Sequence, residues 1–189
     1  MARLLDLEHL DLTDAATEPP TAEAQAPQAS LTDRMLAENA IGEVWRICYL
    51  ANLFVFPIYA RFEKAHDLLR PEFVTLFCLA HHQPLIAQDI VDMTGLPKNT
   101  VSRGVNRLLS RGLIARGAHP DDRRKACLWL TPAGRAMFDR LMPDVEARRA
   151  ALTAGLDEAE RDELGRLLLQ MTRSAVRRLD AGGEGSGTY

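Results

Sequence analysis

Residues 98–110 carry side chains that can contact nucleic acid along one side of a predicted helix. At helical spacing, Val101, Val105 and Leu108 form an apolar stripe that can pack on a preceding helix. The candidate contacts around the rest of the helix are Lys98, Asn99, Thr100, Ser102, Arg103, Asn106 and Arg107. Arginine can grip guanine and asparagine can grip adenine through two hydrogen bonds, while serine and threonine reach phosphates or base edges. The segment has the chemistry of a helix that enters the major groove.

A basic hairpin is predicted directly after this helix. Its strands are 113–117 and 125–131, around a turn that contains Pro120. The three cations at its projecting end are Arg123, Arg124 and Lys125. Arginine at such a tip can enter the narrow, electronegative minor groove. Asp122 is a poor phosphate contact, so we assign it to a salt bridge that holds an arginine of the hairpin or of the polar helix in position.

The distribution of charge supports a polyanionic partner for this segment. The whole chain has a net charge of −3, yet residues 96–125 contain eight basic and two acidic residues. Positive potential is therefore concentrated on one module, and the remainder of the chain is acidic. A solvated basic face without a partner is the alternative, and the polar helix and the hairpin inside the same segment argue against it.

Short helices position the polar helix. A predicted helix over about 86–94 and a turn at Gly95 precede it, so residues 85–111 have the outline of a helix-turn-helix. Gly112 ends the polar helix. Pro71 begins an earlier helix that runs to about residue 80.

A long helical segment comes before this unit. Ser30 and Asp33 have capping-box spacing, and the segment they open is predicted to run to about residue 66. Pro57 should kink this helix or end its first half. Residues 47–60 are apolar apart from Asn52, so several sides of the helix need to be covered.

Two further helices are predicted after the hairpin. Pro132 opens the first, which Pro143 should interrupt, and Asp157 with Glu160 caps the second. The apolar stripe of the last helix is Leu164, Leu167, Leu168, Met171, Ala175 and Leu179. A lone winged helix could not cover the apolar stripes at both ends of the chain, so we expect the helices at about 31–66 and 133–180 to need a partner.

The sequence predicts a flexible extension over residues 1–30, whose leucines also fit a short helix, followed by one domain over 31–189 with the winged helix at about 70–135. Three scattered cysteines do not make a disulfide framework, and no signal sequence is recognisable. The apolar run over 47–60 is shorter than the roughly 20 residues that span a bilayer. We expect a cytoplasmic protein that does not contact membranes.

Three segments resemble the winged helix of MarR-family transcriptional regulators. They are residues 100–114, Pro120-Asp-Asp-Arg-Arg124 and Leu128-Trp-Leu-Thr-Pro-Ala-Gly-Arg135. The resemblance implies a mainly α fold with a winged helix-turn-helix, a two-stranded β-wing and a helical dimerisation region built from both termini. By motif, Asp122 and Arg123 match the wing pair, and Ser102, Arg103 and Arg107 match the recognition helix. Pro97 departs from the family, in which many members have a capping residue there.

The family resemblance also implies partners. These are a pseudo-palindromic operator of double-stranded DNA, a second copy of the chain in a homodimer, and a small molecule that releases the repressor. The cleft for that effector would lie between the dimerisation helices and the winged helix. The candidates to line it are Trp45, Arg46, Tyr49, Asn52, Phe56, Phe73, Phe77 and His82.

These candidate residues suit a flat aromatic or phenolic compound. Arg46 could pair with a carboxylate, and Tyr49, Asn52 and His82 could supply orienting hydrogen bonds. The alternative is that the aromatic side chains are core and that Arg46 is a surface charge.

Other functions find less support. The histidines and cysteines lack zinc-ligand spacing, and no nucleophile or nucleotide-binding motif is present, so we expect no metal, no cofactor and no enzymatic activity. Cys48 could be a redox-sensing thiol, although its apolar surroundings favour core packing. A winged helix that docks protein should display large apolar anchors, whereas residues 98–110 display arginine, asparagine and serine.

Overall fold

The structure is a computed structural model and describes residues 30–118 and 126–182. Its elements are α1 (Leu31–Ala37), α2 (Gly42–His66), α3 (Arg70–His81), α4 (Ala87–Thr94), α5 (Lys98–Ser110), β1 (Ile114–Ala118), β2 (Ala126–Leu130), α6 (Pro132–Leu152) and α7 (Glu158–Gly182). The fold is mainly helical, and β1 and β2 form an antiparallel pair. The predicted fold class is therefore confirmed. Asp122, Arg123, Arg124 and Lys125 lie outside the described residues.

The chain divides into two compact units, residues 1–42 and 43–189. In the first unit, the predicted capping box forms, because Ser30 Oγ accepts from the Asp33 backbone N–H at 3.0 Å. The prediction of one continuous first helix is wrong, since α1 ends at Ala37. Asn39 explains the break: its side chain donates to the Met35 carbonyl at 2.6 Å and accepts from the Ile41 N–H at 3.0 Å. An asparagine bonded in this way replaces helical hydrogen bonds.

Pro57 lies inside α2, and of the two predicted outcomes, a kink or an end of the helix, the end does not occur. Proline has no N–H, so the carbonyl of Leu53, four residues earlier, loses its helical partner. Arg148 of α6 replaces that partner, with Nε donating to the Leu53 oxygen at 2.9 Å and Nη2 donating to the same atom. A tertiary contact therefore satisfies the acceptor that the proline leaves free.

Helix α6 also continues through a proline. The predicted interruption at Pro143 is wrong, because Leu141 is fully buried and Met142 and Val145 pack against the core, which offsets the lost backbone hydrogen bond. The predicted cap of the last helix is confirmed. Asp157 N–H donates to Glu160 Oε2 and Glu160 N–H donates to Asp157 Oδ1, each at 2.9 Å.

The apolar core of the second unit joins the end of α2 to α3, α4, α5, the β-pair and α6. Its fully buried members include Phe62, Leu68, Leu76, Leu79, Ile90, Leu108 and Leu141. Strands β1 and β2 pair in register from Ile114 opposite Leu130 to Ala118 opposite Ala126. Leu85 joins this ribbon by exchanging two backbone hydrogen bonds with Leu128.

The apolar stripe of α7 lies on the surface of the chain. Its side chains Leu164, Leu167, Leu168 and Met171 are 38–48% exposed, and Leu169 and Val176 on another side of the helix are 49% and 51% exposed. Val44, Trp45 and Leu50 of α2 are exposed as well. Exposed apolar side chains at this density are typical of a surface that another chain covers. Within the described residues, no helix combines the length and the apolar composition needed to cross a membrane.

Candidate nucleic-acid interface

Helix α4, a glycine turn and α5 form the predicted helix-turn-helix. Gly95 ends α4 in the left-handed conformation (φ 66°), and its N–H donates to the Val91 carbonyl at 2.8 Å. A residue with a side chain would be strained at this angle. The Pro97 carbonyl accepts from the N–H groups of Thr100 (2.9 Å) and Val101 (3.1 Å). Helix α5 therefore begins directly after Pro97, although a proline here departs from the family pattern.

The inner side of α5 packs as predicted. Val101, Val105 and Leu108 are 1%, 2% and 0% exposed. Gly104 lies on the same side, where a Cβ would come within 2.9 Å of Pro71 Cβ and 3.0 Å of the Pro71 carbonyl carbon. The absence of a side chain therefore lets α5 approach the start of α3 closely.

The outer side of α5 is exposed to solvent at most of the predicted residues. Lys98, Asn99, Ser102, Arg103 and Asn106 are exposed. Thr100 is half-buried, and its hydroxyl lies 3.3 Å from Asn99 Oδ1. The helix thus presents two cations, two amides and a hydroxyl to solvent from one continuous surface, which we call the α5 polar face.

Arg107, also predicted to contact DNA, is engaged within the protein. Its Nε lies 3.2 Å from Glu72 Oε2, and its Nη2 lies 3.3 Å from both Asp67 Oδ2 and the Asp67 carbonyl. The carboxylates, Glu72 first and Asp67 less, raise the pKa of Arg107 above its usual value. Contact between Arg107 and a DNA base stays a prediction. The ion pairs of Arg107 give it a structural role within the protein.

Glu72 and Arg111 complete this cluster, and neither was predicted from the sequence. Glu72 is fully buried and accepts from the Leu69 N–H at 2.9 Å. Arg111 Nη1 lies 3.4 Å from Glu72 Oε1 and donates to the Asp67 carbonyl at 2.7 Å, while Nη2 donates to the His66 carbonyl at 2.8 Å. The available signal was the position of Glu72 as the third residue of a helix that begins near a proline, where a glutamate side chain can accept from the N-cap N–H.

A cavity of about 480 Å³ lies between α2, α3, α4 and α6. Its lining residues are Phe54, Phe73, Val74, Phe77, Cys78, His81, His82, Met93, Thr94 and Val145. Phe73, Phe77 and His82 were predicted. The structure does not bring Trp45, Arg46, Tyr49, Asn52 or Phe56 to this cavity, because the residue that α2 contributes to the lining is Phe54.

The cavity wall is mostly apolar and aromatic, and a hydrogen bond orients His81, one of its polar side chains. His81 Nδ1 lies 2.8 Å from the Phe77 carbonyl, which can only accept, so Nδ1 carries a proton and Nε2 is the acceptor of the neutral ring. The His81 ring stacks at 4.4 Å from the Phe77 ring. Burial raises the pKa of the Cys78 thiol, which keeps this thiol neutral. The wall combines hydrophobic surface with an acceptor and suits a planar ligand that carries an O–H or N–H donor.

The sequence of this chain is similar to those of known proteins. The MarR family profile matches residues 66–125. The transcriptional repressor NicR of Pseudomonas putida is 31% identical over 136 residues, which cover 71% of this chain and 83% of the repressor. The chain belongs to the MarR family of transcriptional regulators. Proteins of this family bind DNA and are not enzymes, so the α5 polar face belongs to a DNA-binding regulator.

Solved structures agree with this MarR-family assignment. BpsR of Bordetella bronchiseptica, whose DNA binding is regulated by 6-hydroxynicotinic acid, is 30% identical with a TM-score of 0.58, and the match covers 71% of this chain and 99% of BpsR. A MarR-family regulator from Listeria monocytogenes in complex with a 26mer DNA has a TM-score of 0.69 at 20% identity, over 77% of this chain and 97% of that protein. The second similarity concerns the fold alone.

Proposed function

We propose that this MarR-family regulator is a homodimeric repressor that binds a pseudo-palindromic operator and is released by a small aromatic or phenolic effector. The α5 polar face carries the proposal. Its side chains are exposed and can bond base edges, while the buried opposite side holds the helix in place. Two such helices in a two-fold dimer would enter successive major grooves about 34 Å apart.

The proposed dimer uses the exposed apolar stripe of α7 together with the start of α2. Leu167 and Leu168 are 48% and 40% exposed in the single chain, and Trp45 is 38% exposed. Burying these side chains against a second copy removes apolar surface from water and contributes about 25 cal/mol per Å². The wing cations Arg123, Arg124 and Lys125, with Asp122 as their positioning partner, are proposed to flank the operator on the minor-groove side.

Removing one exposed arginine of the α5 polar face should weaken operator binding and relax its sequence preference. Arg103→Ala deletes a group able to pair with guanine, at an expected cost of about 1 to 3 kcal/mol at that base pair. Titrations of the operator and of single-base variants measure the effect.

Arg149→Ala is the matched control for this substitution. Arg149 is exposed on α6, so the variant loses the same charge away from α5. We expect its operator affinity to match the wild type at moderate salt. Equal losses in both variants, with unchanged base preference, would mean that Arg103 supplies only general charge attraction.

The aromatic cavity is the proposed effector site. It lies against α3 and α4, the helices that support α5, so a ligand that fills it can favour a dimer whose recognition helices do not fit the operator. His81 Nε2 would accept a hydrogen bond from a phenolic O–H or a ring N–H. The regulation of BpsR by 6-hydroxynicotinic acid supports a hydroxylated aromatic acid as the class to test first.

A thermal-shift screen of hydroxylated aromatic acids and phenols should identify a stabilising ligand. At 100 times its dissociation constant, the ligand should add about 2.7 kcal/mol to the free energy of unfolding. Val74→Phe fills the cavity and should remove the shift. Ala115→Phe adds the same side chain at an exposed residue of β1 outside the cavity lining and should preserve the shift. Equal shifts in the two variants would place the ligand elsewhere.

The exposure of Cys48 favours thiol oxidation as a second candidate signal for this regulator. The sequence analysis expected core packing, but Cys48 is exposed in the chain, and an accessible thiol can be oxidised. Peroxide should leave operator binding unchanged if the effector is the signal. Loss of binding in the wild type, with protection in Cys48→Ser, would replace the aromatic effector by thiol sensing.

A further inference from the structure

The recognition helix α5 is joined to the end of α2 by the two arginines at its C-terminal end. Arg107 and Arg111 are four residues apart and lie on one side of the helix. Both contact Glu72, and both donate to the carbonyl of Asp67. Arg111 also donates to the carbonyl of His66, the last residue of α2. One cluster, formed by Asp67, Glu72, Arg107 and Arg111, thus links three helices, and we call it the arginine clamp.

Glu72 is the buried centre of the arginine clamp. Its side chain is fully buried, whereas those of Arg107 and Arg111 are 43% and 27% exposed. A buried carboxylate needs opposite charge and hydrogen bonds, because burial alone strongly disfavours its ionised form. The two guanidinium groups and the Leu69 N–H meet that need. Displacing α5 from the α2–α3 junction would leave this carboxylate without its cations.

The α2 side of the clamp consists of the His66 and Asp67 carbonyls together with the Asp67 carboxylate. Asp67 adopts a left-handed conformation (φ 49°), as the residue after a helix often does, and its N–H bonds to the Glu63 carbonyl at 2.9 Å. The carbonyls at a helix C-terminus carry partial negative charge and favour cations. Arg111 is therefore bonded directly to the backbone at the end of α2, through two carbonyl oxygens. These acceptors move with the helix end and not with a side chain.

A close helix contact continues the same connection along α5. Gly104 packs on Pro71, the residue next to Glu72, and the Gly104 position leaves no room for a Cβ. Contacts at Gly104, Arg107 and Arg111 repeat at helical spacing, so one side of α5 is held against the α2–α3 junction over about two turns. Sliding or rotation of α5 would have to break all three together.

We propose that Glu72 is a positioning residue that fixes the pose of the recognition helix by clamping Arg107 and Arg111 to the end of α2. The proposal rests on the proposed function, in which α5 reads the operator. Arg107 then acts on DNA through the placement of its helix. Movement of the α2 end is transmitted to α5 through the same clamp, which couples the dimerisation region to the reading helix.

Glu72→Gln tests the clamp with the smallest change of shape. The amide oxygen can still accept from the Leu69 N–H, while the negative charge between the arginines is lost. We expect operator affinity to fall about tenfold and binding to an unrelated duplex to stay the same, measured by fluorescence anisotropy well below the unfolding temperature. A purely structural loss would lower the melting temperature without changing the ratio of operator binding to unrelated binding.

Glu160→Gln is the matched control, because Glu160 accepts the same kind of backbone hydrogen bond, from Asp157 at 2.9 Å, at the N3 position of α7. Its operator affinity should equal that of the wild type. Wild-type discrimination between the operator and the unrelated duplex checks the proposed function separately. If the wild type discriminates and Glu72→Gln does so equally well, the positioning role is wrong.

A double-mutant cycle separates positioning from direct contact. Arg107→Gln alone and Glu72→Gln alone should each weaken operator binding. The operator affinity of the double variant should be about that of the single variant with the lower affinity. Arg107→Lys, which retains a cation beside Glu72, should recover part of the loss. Additive effects of the two glutamine substitutions would show that Arg107 contacts DNA independently of Glu72 and would overturn the proposal.

Discussion

Replacing both Leu167 and Leu168 of α7 by glutamate should lower operator affinity by about a hundredfold or more. Both side chains are exposed in the single chain, so the substitutions add charge to the proposed dimer interface without creating a cavity in the core. A monomer would engage one half-site and lose the gain from bivalent binding. Analytical ultracentrifugation at micromolar concentration, paired with operator titration, measures both effects.

Glutamate at Gln170 and Arg173 controls for added negative charge on α7. These positions are exposed and polar, so the variant should remain dimeric and retain most of its operator affinity. A stable, folded wild-type monomer at micromolar concentration would contradict the dimer. Full operator affinity in the Leu167 and Leu168 variant would show that α7 does not form the interface.

The substitution Gly134→Ala should cost about 3 kcal/mol of folding stability. A Cβ at this position would overlap the Leu113 carbonyl oxygen and lie 2.9 Å from the carbonyl carbon. That carbonyl cannot move aside easily, because it accepts from the Thr131 N–H and the Thr131 hydroxyl, each at 3.1 Å. The clash would therefore disturb the junction of α5, the β-pair and α6. Urea denaturation measures the change.

Gly165→Ala is the same substitution in open surroundings on α7. A Cβ there meets nothing within 4 Å, and alanine favours the helix over glycine, so we expect the variant to be more stable by up to about 1 kcal/mol. Similar stability of Gly134→Ala and the wild type would mean that the β2–α6 junction packs less tightly than described.

The winged helix was the part of the fold that sequence predicted best. Its helices are short, each is bounded by glycine or proline, and the apolar spacing in α5 has one clear period. Gly95 and Gly112 both adopt the left-handed angle at which glycine ends a helix (φ 66°). Local chemistry was sufficient there because each boundary depends on a single residue type.

The long helices were harder to predict because distant contacts decide their continuity. Pro57 and Pro143 are helix breakers by local rules, yet α2 and α6 pass through both. Arg148 satisfies the acceptor that Pro57 leaves free, although it lies 95 residues away in sequence. At the other extreme, Asn39 ends a helix that apolar periodicity predicted to continue.

The candidate site was predictable in outline and not in its internal contacts. Helical spacing predicted the exposed polar face around Arg103 and Asn106, and their exposure agrees. The same spacing put Arg107 beside them, but a buried glutamate 35 residues earlier engages it instead. Glutamate is rarely buried unless it is paired. Because the arginine partners of Glu72 are distant in sequence, its burial has no local sequence signature.

Operator titration of the wild-type protein over a salt series tests the central claim most directly. DNA from upstream of its own gene is compared with a shuffled duplex of equal length and composition. We expect the genomic fragment to bind about a thousandfold tighter or more, both affinities to fall with salt, and the preference to persist as salt rises. If no genomic fragment binds better than the shuffled duplex at any salt concentration, α5 does not read a DNA sequence and the account is contradicted.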